Sequence, residues 1–324
     1  MKKLLTIISC VFLFALFGFL FVLQSGAQET SRNITIVPPS TETTVNPGDK
    51  TEGTLKFIND GPNALTVQVS IQDFVVENNK GTPVLLDPNT LNKKFSAASW
   101  IAVYPNYFTV PAHQQQILNY YIQIPSNARP GGHYAAVVYT PISNVAVKNS
   151  GASVQTVIGS LFAISVSGAI VEQASITKFF ANAFQEYGPV SIQTQIKNFG
   201  DLHIKPLGDI TVYNMFGKQV AILRLPQYRI FPEVGRDYEN IFGGKFMIGR
   251  YRATLLASYG VNNNLPLTAS IYFWVFPWKI AVVLVLIIIA VILGFLVWMN
   301  KQKETELPDE KHHHHVPTDE PPKE

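Results

Sequence analysis

Two stretches decide the fold: "GGHYAAVVY", Gly131 to Tyr139, and "IGRYRATLLASY", Ile248 to Tyr259. Each contains Gly-x-Tyr-x-Ala, alternates apolar with small or polar residues, and ends on a second tyrosine. Alternation with period two is the pattern of a half-buried strand, because successive side chains of a strand point to opposite faces. A glycine just ahead of such a strand supplies a corner. The tyrosine that follows is expected to pack its ring in a core while its hydroxyl bonds backbone near that corner.

A second pair of phrases aligns the same two halves. "LKFINDGPNALTVQV" (Leu55 to Val69) and "TQIKNFGDLHIKPLGDITV" (Thr194 to Val212) each read as a strand ending in Asn, a Gly-containing turn and a returning strand. Asn59 and Asn198 close the first strand of each copy, and Asn and Gly tolerate the left-handed backbone that tight turns need. In both halves the Asn turn comes first and the Gly-x-Tyr strand late, so one fold is present twice, with a boundary between Gly168 and Ala174. Between the phrases lie "VNPGDK", "NNKGTP" and other Pro-Gly punctuation separating short alternating runs. Many short strands with such turns indicate β-sandwiches. The expectation is all-β: two tandem immunoglobulin-like β-sandwich domains, residues 28–170 and 171–276.

The ends of the chain carry membrane signals. Met1-Lys2-Lys3 precedes an apolar run from Leu4 to Leu23, and "QSGAQE" places Ser25 and Ala27 at the minus-three and minus-one positions of a cut. This is signal-peptide grammar, and residues 1–27 are expected to be removed. Cys10, the single cysteine, lies inside that run, so the remaining exterior has neither disulfide nor thiol. Ile280 to Met299 carries no charge, and about twenty helical residues cover the roughly 30 Å hydrocarbon core. Trp274, Trp278 and Trp298 flank it as interfacial aromatics, and Lys301 and Lys303 follow it. The expectation is a single transmembrane helix over 279–299, type I in a cell membrane, with the bulk of the chain outside and a disordered cytoplasmic tail over 300–324.

Residues 28–278 hold 18 Lys plus Arg against 15 Asp plus Glu, without a concentrated basic face, so nucleic acid is not an expected partner. No Gly-x-Ser-x-Gly elbow, His-Glu-x-x-His, phosphate loop or cysteine pair is present, and neither a metal nor another cofactor is expected. The exterior histidines are His113, His133 and His203. His113 reads as a turn or edge residue. Asp201 and His203 would share one face of a strand, a geometry that could hold a metal, but a turn-side hydrogen bond is the favoured reading. "HHHH" at His312 to His315 lies in a polar, Pro-rich tail, and "ELPDE" at Glu306 to Glu310 falls on the wrong side of the span for wall attachment.

The binding candidates are aromatics that strand alternation does not demand: Trp100, Tyr104 and Tyr107 in "SWIAVYPNYFTVP", and Tyr121, whose neighbour Tyr120 must face the other way. Aromatics with polar neighbours suit stacking on a sugar or lining a peptide groove.

In this architecture the chain resembles the WxL-interacting protein family. The segment "VNPGDKTEGTLKFINDGPNALTVQVSIQDFVVENNKG" (Val45 to Gly81) is similar to that family's Pro-Gly turn, strand, Asn turn and strand, and "QIPSNARPGGHYAAVVY" to its later strand. The second half is similar through "IQTQIKNFGDLHIKPLGDITVYN" and "GRYRATLLASYG". It departs in lacking the family's Asn-Gln and aromatic-Asp-Leu phrases, and "FPEVGRD" (Phe231 to Asp237) replaces an "APNS"-like phrase. The resemblance implies a peptidoglycan-binding first domain, a second β domain that binds a host, and one C-terminal span. The expected function is therefore a non-enzymatic membrane-anchored surface protein that binds cell-wall polymer or other surface proteins. The alternatives are an extracytoplasmic assembly chaperone acting by β-strand addition, and an unrecognised hydrolase.

Overall fold

Two mainly antiparallel sandwiches and one helix make up the computed structural model, which describes residues 34–87, 94–142 and 158–305. The proposed signal segment, the tail histidines and the "ELPDE" phrase lie outside the described residues. The chain divides into two compact units, the main division falling between Val171 and Glu172, with the short segment Asn78–Gly81 grouped with the second.

In the first unit, one sheet has the order β1 (Ile34–Val37), β3 (Lys50–Asn59), β8 (Gln115–Gln123), β6 (Ile101–Tyr104). The opposing sheet runs β2 (Ser40–Val45), β10 (Ile158–Val166), β9 (Gly131–Ile142), β4 (Leu65–Val76), β5 (Pro83–Leu85), with β7 (Tyr107–Val110) also on β4. Inward positions recur at every second residue: Leu55 and Phe57 on β3, Leu118 and Ile122 on β8, Val67 and Val69 on β4, Val137 and Tyr139 on β9. Phe57 stands at the centre, its ring 5.6 Å from Phe108 and 5.5 Å from Tyr139. Tyr120 also faces inward, edge-on to Phe162 at 5.0 Å, and its ring crosses β3 where only Gly53 leaves room, since a Cβ there would sit 2.4 Å from the hydroxyl.

The second unit repeats the plan with fewer strands: β11 (Ala174–Phe180), β13 (Val190–Asn198), β16 (Gly235–Phe242) against β12 (Phe184–Gln185), β18 (Leu265–Val275), β17 (Gly249–Tyr259), β14 (Leu207–Tyr213), β15 (Gln219–Arg224). In both units the opening strand changes sheets partway: β1 and β11 pair antiparallel in one sheet, while β2 and β12 continue parallel to the last strand of the other. These orders are those of immunoglobulin-like sandwiches. Val275 and Trp278, the first residue of helix α1 (Trp278–Thr305), are separated by only Phe276 and Pro277. Trp278–Met299 is long and apolar enough to cross a membrane.

The repeated phrases fare differently. The Asn turns share their hydrogen-bond pattern. Asn59 is fully buried; its Nδ2 donates to Asn63 O at 2.7 Å and to Val110 O and Pro111 O at 3.1 Å, and its Oδ1 accepts from Gly61 N at 3.1 Å. Asn198, equally buried, donates to Leu202 O at 2.7 Å and Ile230 O at 2.9 Å, and accepts from Gly200 N at 2.9 Å. Each also donates its backbone N–H to the residue after a left-handed turn residue: Asn59 to Gln114 O beside His113 (φ 57°), Asn198 to Val234 O beside Glu233 (φ 68°).

The Gly-x-Tyr phrases, in contrast, are equivalent only after a slip of one residue. The corner glycines with positive φ are Gly131 (116°) and Gly249 (122°), so His133 in the first unit occupies the place of Tyr251 in the second. A one-residue slip sends a side chain to the other face. Tyr251 meets the expectation: its ring stacks on Phe273 at 5.7 Å and its hydroxyl donates to Ile248 O at 3.3 Å. Tyr134 is buried too, but on the outer face of its sheet, with Phe74 (6.0 Å) and Phe95 (6.3 Å) about its ring.

Candidate functional site

The four sequence candidates do not form one site. Trp100 ends a short 3-10 turn, Ala98–Trp100, half-buried with its ring 4.4 Å from that of His133, so it belongs to the packing beneath the second sheet. Tyr107 is exposed but sits on β7, paired with Gln68 in the other sheet. Tyr104 and Tyr121 are brought together.

Both lie on the outward face of the β1-β3-β8-β6 sheet. Tyr104 pairs with Asn119 on β8, and Tyr121 is two residues further along that strand, which makes the tyrosines diagonal neighbours, with Cα atoms about 7–8 Å apart. They are 71% and 49% exposed. Register fixes their surroundings: Glu52 and Ala102 flank Tyr121, Thr54 flanks Asn119, and Lys50 stands beside Gln123. Lys50, Glu52, Tyr121 and Gln123 line a shallow open depression in this face. Two aromatic faces are therefore surrounded by an ammonium, a carboxylate and two amides. Rings provide stacking area, and the polar side chains provide donors and acceptors for hydroxyl or amide groups. Asn119, Gln123, Glu52 and Lys50 were not singled out from sequence. The signal for them was the same period-two alternation that separates Tyr120 from Tyr121, but it needed the register of β3 against β8.

The turn carrying Trp100 is fixed by Asp73, whose carboxylate accepts from Ser96 Oγ at 2.6 Å and from Ala97 N and Ala98 N at 2.8 Å. This clamp sets where β6, and hence Tyr104, begins.

Three histidines lie among the described residues. His113 is an exposed left-handed turn residue. His133 is buried between two backbone carbonyls, Nδ1 3.0 Å from Ser96 O and Nε2 2.9 Å from Arg129 O. His203 is buried 6.2 Å from the Phe231 ring. Asp201 and His203 do not share a strand face, because residues 201–203 belong to the turn that Asn198 organises and β14 begins only at Leu207. Among the described residues no group of three or more His, Cys, Asp or Glu is placed to hold a metal.

No protein-family model matches the chain, and no curated protein matches it. Among solved structures it is similar to the class 5 fimbriae chaperone CfaA, with 12% identity over 74% of this chain and 98% of that one at a TM-score of 0.39. It is also similar to the E. coli chaperone DraB, with 16% identity over 74% and 94% at a TM-score of 0.31. A third similarity is to the CsuC–CsuE chaperone–tip adhesion subunit complex of Acinetobacter baumannii, at 10% identity over 73% and 97% and a TM-score of 0.34. The immunoglobulin-like assignment rests on strand order and register.

Proposed function

We propose that this protein is a non-enzymatic, membrane-anchored binding protein of the cell surface whose first immunoglobulin-like domain engages cell-wall polymer. One observation carries the reading: Tyr104 and Tyr121, both exposed, stand diagonally on one sheet face among Asn119, Gln123, Glu52 and Lys50. A flat aromatic-and-polar face suits an extended polymer of sugars and amides better than a small metabolite, which takes a concave, largely enclosed pocket. The resemblance to the WxL-interacting family names the same ligand class. Helix α1 supplies the anchor, with both domains outside the membrane and the tail inside. Retention of the full chain, in detergent, on purified cell walls tests this. Retention lost in Tyr104→Ser/Tyr121→Ser with the fold intact supports it, and retention unchanged in that variant overturns it.

A second reading, a scaffold that binds a protein partner by strand addition, is favoured by β15. Among the described residues this strand pairs only with β14, and it exposes Val220 and Ile222 along its length. Such an edge can accept a partner's strand through main-chain hydrogen bonds. Capture of one surface protein, abolished by Ile222→Pro and not by the tyrosine variant, would establish it.

A further inference from the structure

The register of the second domain gathers two loop tips at the end of the sheet from which the chain enters helix α1. Gly249 pairs with Val275 and Arg250 with Trp274, so the loop 243–248 ahead of β17 lies at this end. Tyr213 pairs with Arg252, so the turn 214–218 between β14 and β15 lies there too. Both loops present apolar residues to solvent. Phe216 is 83% exposed and Phe246 76%, with Met215 and Ile248 exposed beside them. At the far end of the same sheet, the turn between β17 and β18 reads Gly260-Val261-Asn262-Asn263-Asn264 and carries a single apolar side chain.

The exposed charges at this end are of one sign. Lys218, Lys245, Arg250 and Arg252 are exposed, and segments 213–219, 243–252 and 272–279 contain no acid. Glu186 is already paired with Lys279 at 2.8 Å. Arg250 lies over the Tyr272 ring at 4.6 Å and Arg252 over Tyr213 at 4.8 Å, which spreads both guanidinium groups flat on the sheet. Together with Trp274 these residues line an open hollow.

Exposed Phe and Ile tips, interleaved Trp and Tyr and a surplus of Lys and Arg match the boundary between headgroups and acyl chains of an anionic bilayer. Apolar side chains there sit about 5–10 Å deep while cations meet phosphate. The two-residue connection to α1 holds the whole end beside that boundary. We propose that this end of the second domain is a membrane-docking surface: Phe216 and Phe246 enter the interfacial layer, and Lys218, Lys245, Arg250 and Arg252 bind anionic phospholipid headgroups. The proposal rests on the reading that α1 spans a membrane.

The test uses the full chain in nanodiscs, with Cys10→Ala and one environment-sensitive label at a time on Phe216→Cys, Phe246→Cys, Val261→Cys or Leu286→Cys. Discs contain phosphatidylcholine with or without phosphatidylglycerol, plus lipids carrying a nitroxide just below the headgroup. Labels at 216 and 246 are expected to shift to the blue and be quenched about two-fold or more, strengthened by the anionic lipid and weakened by Arg250→Gln/Arg252→Gln, while 261 stays water-like. If 216 and 246 behave like 261 while 286 reports hydrocarbon, the docking surface is overturned and the anchor stands. If 286 also reports water, the anchor reading fails and the docking surface fails with it.

Discussion

Asn59 and Asn198 hold the same place in two domains: each is fully buried at the end of its strand, and each spends its amide on backbone carbonyls of its own turn and of the strand connection that crosses it. This is the best-preserved element of the duplication because no other side chain offers two donors and an acceptor at that reach while tolerating a tight turn.

Replacing either residue with Ala is expected to destabilise its own domain by on the order of 3 kcal/mol, since several buried carbonyls lose their donor together. Hydrogen exchange should show the effect confined to one domain, Asn59→Ala loosening 55–76 and Asn198→Ala loosening 194–213. Equal loosening of both domains would contradict the assignment.

Tyr139 and Tyr238 have buried hydroxyls with no hydrogen-bond partner among the described residues, and burial pushes both pKa values upward. For Tyr238 the nearby Arg236 opposes that rise and Tyr228 adds to it. A group that holds its proton more tightly folded than unfolded stabilises fully below its unfolded pKa. That stability is lost as pH climbs past about 10, by about 1.4 kcal/mol per pH unit for each residue. Tyr139→Phe/Tyr238→Phe should match or exceed the parent in thermal stability at neutral pH and flatten the alkaline decline. An unchanged alkaline slope would argue against it.

Asp73 clamps the turn that leads into β6. Asp73→Ala should cost about 3 kcal/mol, by stranding two backbone donors and the Ser96 hydroxyl, and should speed exchange over 97–104. Asp73→Asn keeps an acceptor for the two N–H groups and should lose much less. Because Tyr104 lies on β6, wall binding should weaken in the alanine variant even where the domain remains folded.

Tyr107 provides an internal control for the proposed binding face. Its exposure lies between those of Tyr104 and Tyr121, but it belongs to the other sheet, so Tyr107→Ser should leave wall retention unchanged while Tyr121→Ser lowers it several-fold, as removal of a stacking contact of about 1–1.5 kcal/mol would. Equal losses from both would place the ligand elsewhere.

Much of the architecture was legible in the residues. Alternation along Leu65 to Gln72, Asn followed by a Gly-containing turn, and the uncharged run after Lys279 are local patterns set by backbone chemistry, and they mark strands, corners and a helix without knowledge of neighbours. The site was legible only in part. That Tyr120 and Tyr121 face opposite ways follows from the pleat, but which residues surround Tyr121 depends on how β3 and β6 register against β8, and that is a tertiary fact. The Gly-x-Tyr phrase misled for a related reason. The doubled glycine at 131 and 132 offers two corners one residue apart, and only packing chooses Gly131, which turns Tyr134 away from the face that Tyr251 occupies. Asp201 and His203 fall in the turn, as the favoured reading has it, because the connection after Asn198 runs to Leu207 and is longer than the one after Asn59.

The connection between β18 and α1 has a mechanical meaning. Two residues, braced by Phe276 N–H on Gln185 O and by the Lys279–Glu186 ion pair, leave no slack between sheet and helix. The second domain is thus mounted on its helix as a blade on a shaft, not tethered by a cord. A load applied to that domain is delivered to the helix as torque and tilt, and a helix that rotates or pairs with another must turn the sheet with it.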